Sequence, residues 1–254
     1  EAFIGQFYND RPVATLLLLN ESVENQKLLS DALTAKSGHK VTISVPRRGS
    51  KRDLVDVAQK NAEEALARHL AETASQLAIL RQIREIFELP DEVKRIEIYD
   101  NSHLQGTNQI GGMVVAGPEG FMKNQYRKFT IRDETTKPGD DYAMMREVFT
   151  RRFSRLVKEE EKGSAQRPDL ILVDGGKGQL STVHKVMCDL GLEDIKLVGI
   201  AKGPDRNAGR ERFFMVNKPD FMMPETSPVL YYLQRLRDEA HRFAIGSHRA
   251  KRKQ

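Results

Sequence analysis

Four apolar residues, Leu170 to Val173, run straight into Asp174 and then into Gly175-Gly176-Lys177-Gly178. So short and uniform a run reads as a strand, and the glycines turn it into a helix that begins near Gln179. The aspartate therefore stands at the carboxyl end of a strand, the edge where open α/β sheets bind their ligands. An isolated Asp-Gly-Gly is as readily a turn whose aspartate caps the next helix. A second stretch of the same design, Arg95-Ile96-Glu97-Ile98-Tyr99-Asp100, shifts that balance. Two strands that each end in aspartate point to a metal site.

The elements around these strands fall into an informative order. Residues 1–89 read as an amino-terminal β-α-β-α module. It has a strand from Val13 to Leu19, a helix from Val23 that Gly38 ends, and an alternating strand from Val41 to Val45. A long helix follows, with Ser50 as its cap, an apolar stripe through Leu54, Ala58, Ala62, Leu66, Leu70, Leu77, Leu80 and Ile83, and an end near Leu89-Pro90. Arg47, Arg48, Lys51 and Arg52 surround the start of that helix, where exposed amides and positive charge favour phosphate.

From Val93 onward three strands follow in series: Val93 to Asn101, Gly111 to Ala116 and, after a Gly-Pro-Glu-Gly turn, Phe121 to Arg132. The tight turn implies an antiparallel meander. A helix opens at Asp140-Asp141-Tyr142, with either aspartate able to cap it, and gives way to a charged loop at Lys158. The strand to Asp174 comes next, then a helix to Asp189, strands from Lys196 to Ala201 and from Arg212 to Val216, and a last helix from about Pro228. This β-β-β-α-β-α-β order is the ribonuclease H plan. The expected fold is α/β, a mixed sheet of three antiparallel strands plus parallel strands with flanking helices. Its first and fourth strands are neighbours, so Asp100 and Asp174 come side by side and need a cation to remain ionised together.

Charge distribution sharpens the expectation. Residues 235–254 hold seven Lys or Arg against two acids, a surplus equal to the net +5 of the whole chain. Lys123, Arg127, Lys128 and Arg132 form another acid-free cluster. Basic surfaces beside isolated carboxylates are what a nucleic-acid enzyme requires. No run is long enough to span a membrane. The single Cys188 rules out an internal disulfide and fits a reducing cytoplasm. A P-loop enzyme would account for Gly175-Gly176-Lys177-Gly178, but the G-x-x-x-x-G-K-[ST] spacing is missing.

Four stretches, taken together, resemble one family. They are Tyr99 to Gly106, Gly139 to Met145, Leu172 to Gln179 and Arg237 to Ala244, and with Pro46-Arg47-Arg48-Gly49 they are similar to the carboxy-terminal half of the UvrC family, the nucleases of bacterial nucleotide excision repair. The resemblance implies a ribonuclease H-like endonuclease domain over residues 90–246 and a basic tail, 247–254, leading toward an absent helix-hairpin-helix region. It implies a divalent-metal-dependent endodeoxyribonuclease that cuts a phosphodiester on the 5′ side of a lesion, with Mg²⁺ or Mn²⁺ as cofactor.

Carried over residue by residue, the active-site acids fall on Asp100 and Asp174, a further catalytic aspartate on Asp141, and an unusual histidine on His241. Asp100, Asp174 and His241 are the implied metal ligands, although His241 as a general acid or base is the open alternative. Arg47, Arg48, Lys51, Lys177 and Arg242 are the expected DNA contacts. Double-stranded DNA is the implied partner, with UvrB engaged through a region outside this sequence. The rival reading is a DNA-binding ribonuclease H-like module that is inactive on its own.

Overall fold

The computed structural model describes residues 1–102, 110–131, 140–203 and 210–251, with side chains given for all of these except 102 and 247–251. His103, the Arg132 end of the third expected strand and residues 252–254 lie outside the described residues, and no side-chain position is given for the basic tail from 247 on. The chain divides into two units, residues 1–72 and 73–254.

The first unit holds α1 (Ala2–Phe7), β1 (Leu16–Leu18), α2 (Gln26–Ser37), β2 (Thr42–Ser44) and the start of α3 (Ser50–Phe87). β1 and β2 pair in parallel, with Leu17 beside Ile43, so α2 is the crossover helix of the expected β-α-β unit. Gly38 ends α2 at φ +73°, a left-handed conformation that favours glycine. Val13, Leu17, Leu33, Val41 and Ile43 form a small core. Two side chains tie helix to strand: Ser30 donates to the Val41 carbonyl at 2.6 Å, and Thr34 Oγ1 accepts from the Val41 amide at 2.9 Å.

The apolar stripe expected on α3 is only partly buried. Between Val55 and Leu80 no α3 side chain is buried, and Leu54, Leu66 and Leu70 are each more than half exposed. The 3.6-residue period marks where apolar residues line up, but burial needs a second surface. Among the described residues that surface exists for Val55 near the start of the helix and for the last turns, where Leu80, Ile83 and Phe87 join the core of the second unit.

The second unit is built on one eight-stranded mixed sheet. Its strands are β3 (Ile96–Ser102), β4 (Ile110–Gly117), β5 (Gly120–Phe121), β6 (Arg127–Thr130), β7 (Leu170–Asp174), β8 (Lys196–Ala201), β9 (Arg212–Met215) and β10 (Phe221–Met222). The spatial order is β10-β9-β8-β7-β3-β4-β5, with β6 also pairing with β4. β3 and β4 are antiparallel, whereas β3, β7 and β8 run parallel. β3 and β7, which correspond to the first and fourth expected strands of this unit, are therefore neighbours, as the element order predicts. The third expected strand differs. It is split into β5 and β6 by a 3₁₀ turn at Lys123–Gln125, in which the Gln125 amide bonds the Met122 carbonyl instead of a neighbouring strand.

Helices cover both faces. On one lie α4 (Asp141–Glu160) and α5 (Lys177–Asp189); on the other lie α6 (Pro228–Lys251) and the end of α3. α4 runs further than its charged end predicts, because Arg155 and Glu159 pair one turn apart at 2.6 Å and support the last turn. Alternation along the strands assigns side chains to faces. Ile96 and Ile98 of β3 and Leu170 and Leu172 of β7 pack with α6, whereas Tyr99, Ile171 and Val173 pack with α4 and α5. The same count carries Asp100 and Asp174 to the α6 face.

Candidate active site

The register of β3 on β7 pairs Ile96 with Leu170, Ile98 with Leu172 and Tyr99 with Val173. One step further, Asp174 ends β7 and Asp100 lies two residues before the end of β3, on the same face of these adjacent parallel strands. Asp100 is only 5% exposed. α6 crosses β3 and β4 there, and its close approach depends on Gly112, which lies opposite Asp100 in the β3–β4 ladder. A Cβ on Gly112 would meet the Ala244 Cβ at 3.0 Å. With no side chain in the way, α6 lies low enough for His241, one turn before Ala244, to reach Asp100: Nδ1 to Oδ2 is 2.9 Å. The histidine is itself 60% exposed. Nδ1 is therefore the nitrogen that donates to the carboxylate, and Nε2 is left facing outward.

Burial pushes the Asp100 carboxyl above its ordinary range; the hydrogen bond and charge of His241 oppose this, and the charge of Asp141 adds to it. Asp174 is pushed further, to about 6, first by burial and then by Asp100. Arg237, His241 and Lys202 pull it the other way. The doubled aspartate at the start of α4 divides its roles. Asp140 caps the helix, accepting from the Ala143 amide at 2.9 Å. Asp141 is the first helical residue, its carbonyl held by Asn101 Nδ2 at 3.3 Å and its charge felt at Asp100.

Asp100, Asp174, His241 and Asp141 are thus neighbours around the ends of β3 and β7. Among the described residues, no three His, Cys, Asp or Glu stand close enough together to hold one ion. What stands ready is a pair of carboxylates whose ionised forms disfavour each other. That donor set fits a hard divalent cation, which accepts two carboxylate oxygens and completes its shell with water or phosphate.

The expected DNA contacts sit differently from one another. Arg47, Arg48 and Lys51 are exposed at the start of α3, in the first unit. Lys177 is exposed at the first residue of α5, just after Asp174. Arg242 is exposed but forks onto Glu239 at 2.7 and 2.6 Å. The turn after Asp174 uses its glycines for room, since Gln179 Oε1 accepts from the Gly176 amide at 3.2 Å and lies where a Gly175 side chain would be.

Two charges near Asp174 escape a sequence reading. Arg237 is buried and anchored on Glu211 at 3.2 Å, and Gln234 also bonds Glu211, at 2.9 Å. The signal for Arg237 is its place four residues before His241, on one face of α6. Lys202, just past β8, carries no such mark.

A family model described as the UvrC RNAse H endonuclease domain matches residues 84–245, and one described as the UvrC Ribonuclease H-like domain matches residues 1–69. The chain is 59% identical over 252 residues to the UvrABC system protein C of Caulobacter vibrioides, a match covering 99% of this chain and 39% of that protein. Against the UvrABC system protein C of Brucella abortus it is 56% identical over 262 residues, covering 99% and 43%. The chain therefore spans about two fifths of the length of these curated relatives. Among solved structures, the catalytic domain of human Endonuclease V is similar at a TM-score of 0.31 and 19% identity, over 56% of this chain and 59% of that chain.

Proposed function

The chain belongs to the UvrC RNase H endonuclease family, and from that premise we propose that it hydrolyses DNA phosphodiesters with a divalent cation held between Asp100 and Asp174. One observation carries this reading: two largely buried carboxylates share a sheet edge, and the second is pushed up to about 6 in part by the first. A pair so placed is destabilised when both are charged, and a cation removes that conflict. The ion, when bound, supplies positive charge against the charge that develops on the phosphate.

The chain's own residues do the rest. Asp100 and Asp174 offer oxygens and stay fixed, one through Nδ1 of His241 and the other within the field of Arg237 and Lys202. His241 keeps its ring oriented through Asp100, which leaves Nε2 either to join the cation as a ligand or to give or take a proton at the reacting oxygens. Asp141 adds a further negative charge beside Asp100. Lys177, exposed at the first residue of α5 just after Asp174, offers a positive charge to an incoming phosphate.

The cut is assigned to the 5′ side of a lesion, and UvrB is the partner expected of the full protein; support for both comes from the family. Nicking of duplex DNA should require Mg²⁺ or Mn²⁺ and stop on chelation, and nicking that persists in excess chelator would sink the metal reading. Lesion-bearing duplex labelled at either end reports the side of the cut. If Nε2 is a ligand, the wild type should favour Mn²⁺, and His241→Asp should shift preference toward Mg²⁺. An unchanged preference with an altered pH profile assigns His241 to proton transfer.

A further inference from the structure

On the opposite face of β3 lies a cavity of ≈ 410 Å³ that the catalytic reading does not use. Its floor is a buried charge cluster. Glu97 is fully buried and takes Arg95 at 2.7 Å and Arg152 at 2.8 Å, so one carboxylate faces two guanidiniums and the floor stays positive. Its walls add Arg127, Arg151 and Arg155. Glu159 also lines it. Arg155 is 75% exposed and bonds the rim carboxylate Glu159 at 2.6 Å, a surface pair that contributes little, whereas Arg151 is held more firmly by the mostly buried Glu147 at 3.0 Å. Among the described residues, Arg127 donates to the carbonyls of Asn124 and Tyr126.

Chemistry and position narrow the ligand. The apolar lining is Met113 and Phe129, and the one aromatic ring among these residues, Phe129, lies under the Arg151 guanidinium at 5.8 Å, a poor platform for a base to stack on. Guanidinium forks around a polar floor suit phosphate oxygens. Glu97 precedes Asp100 by three residues, roughly 10 Å along the strand, and points to the other face, so the phosphate bound here is not the one that is cut. β6 supplies the route between the faces. Phe129 packs on the α4 side, while Lys128 reaches Phe243 of α6 at 4.4 Å, so this short strand carries cations on both sides of the sheet.

We infer that the cavity is a second phosphate site, which takes backbone phosphates of the DNA strand away from the reacting link. This rests on DNA being the substrate. The test is binding of the 254-residue chain to a short duplex as salt is raised, in wild type and in the Arg127→Glu, Arg155→Glu double variant. The slope of log affinity against log salt should flatten by about 0.9 for each phosphate that is no longer held. Arg127→Gln with Arg155→Gln should flatten it too, and stands in if the reversed pair does not fold. Inorganic pyrophosphate, titrated separately, distinguishes the source. Pyrophosphate binding that vanishes in the variant while the DNA slope stays as in wild type overturns the strand assignment in favour of a free anion. Wild-type affinity with an unaltered slope in both variants overturns the site alone. No DNA binding by the wild type overturns the functional reading as well.

Discussion

β3 carries two buried carboxylates, three residues apart and on opposite faces, and they are treated differently. Glu97 is inaccessible, with Arg95, Arg152 and the Tyr99 hydroxyl all bonded to it. Burial and the neighbouring Glu97 charge hold the Tyr99 hydroxyl far above its ordinary range, so it stays a donor. Asp100 has one imidazole, itself mostly exposed, and a second carboxylate nearby that opposes its charge. Burial of an acid is common to both and marks neither as functional. Completeness of the partner set separates them: Glu97 is matched by two guanidiniums, and Asp100 is matched by one exposed imidazole and opposed by Asp174.

The sharpest break in the comparison is Asp100→Ala or Asp174→Ala. Either should lower metal-dependent nicking by at least ~10³-fold with the fold intact, and a folded variant that cuts at the wild-type rate would remove the site. Glu97→Ala should do the reverse. Leaving Arg95 and Arg152 buried without their carboxylate should cost about 3–5 kcal/mol of stability, read as the midpoint of urea unfolding. A smaller loss would mean that the cluster is open to water.

Asp174→Asn tests the same contrast through pH. The folded carboxyl holds its proton to about 6, against 3.8 ordinarily, so the folded state binds more protons than the unfolded state between those values. Stability in metal-free buffer should therefore fall as pH rises from about 4 to 6, by on the order of 2 kcal/mol. The variant should lose this dependence and be the more stable protein at neutral pH. A wild-type profile that matches that of the variant would show that the Asp174 carboxyl is not held above its ordinary range. The smallest effect expected is that of Gly112→Ala, which should lift α6 by a few tenths of an ångström and slow nicking by about tenfold with little change in DNA affinity.

Much of this is legible in the residues. The strand ends at Asp100 and Asp174 stand out because a short apolar run and a period of two leave few alternatives. Their shared face follows from the same count once the strands are neighbours. His241 is visible only through the family resemblance, since a polar residue on an amphipathic helix has no local mark of its target. Glu97 looks like one polar residue in an apolar strand; its partner Arg152 is 55 residues away, and only the fold brings them together. The α3 stripe is legible as a pattern but not as burial, because periodicity says which residues share a face and not what covers it. The split of the third strand is hidden too, as Lys123 to Gln125 form a turn with no glycine or proline to announce it.

β6 pairs with β4 on one side, and among the described residues no strand pairs with its other side. An open strand edge invites the same edge of another molecule, and long cationic side chains are a common means of keeping such edges apart. Arg127 and Lys128 sit on that edge, so they also bear on whether the protein stays dispersed. Replacing them with small neutral residues would remove a phosphate contact and a barrier to self-association together. Reversing their charge keeps the edges repelling one another, and concentration-dependent light scattering of the two kinds of variant would tell these roles apart.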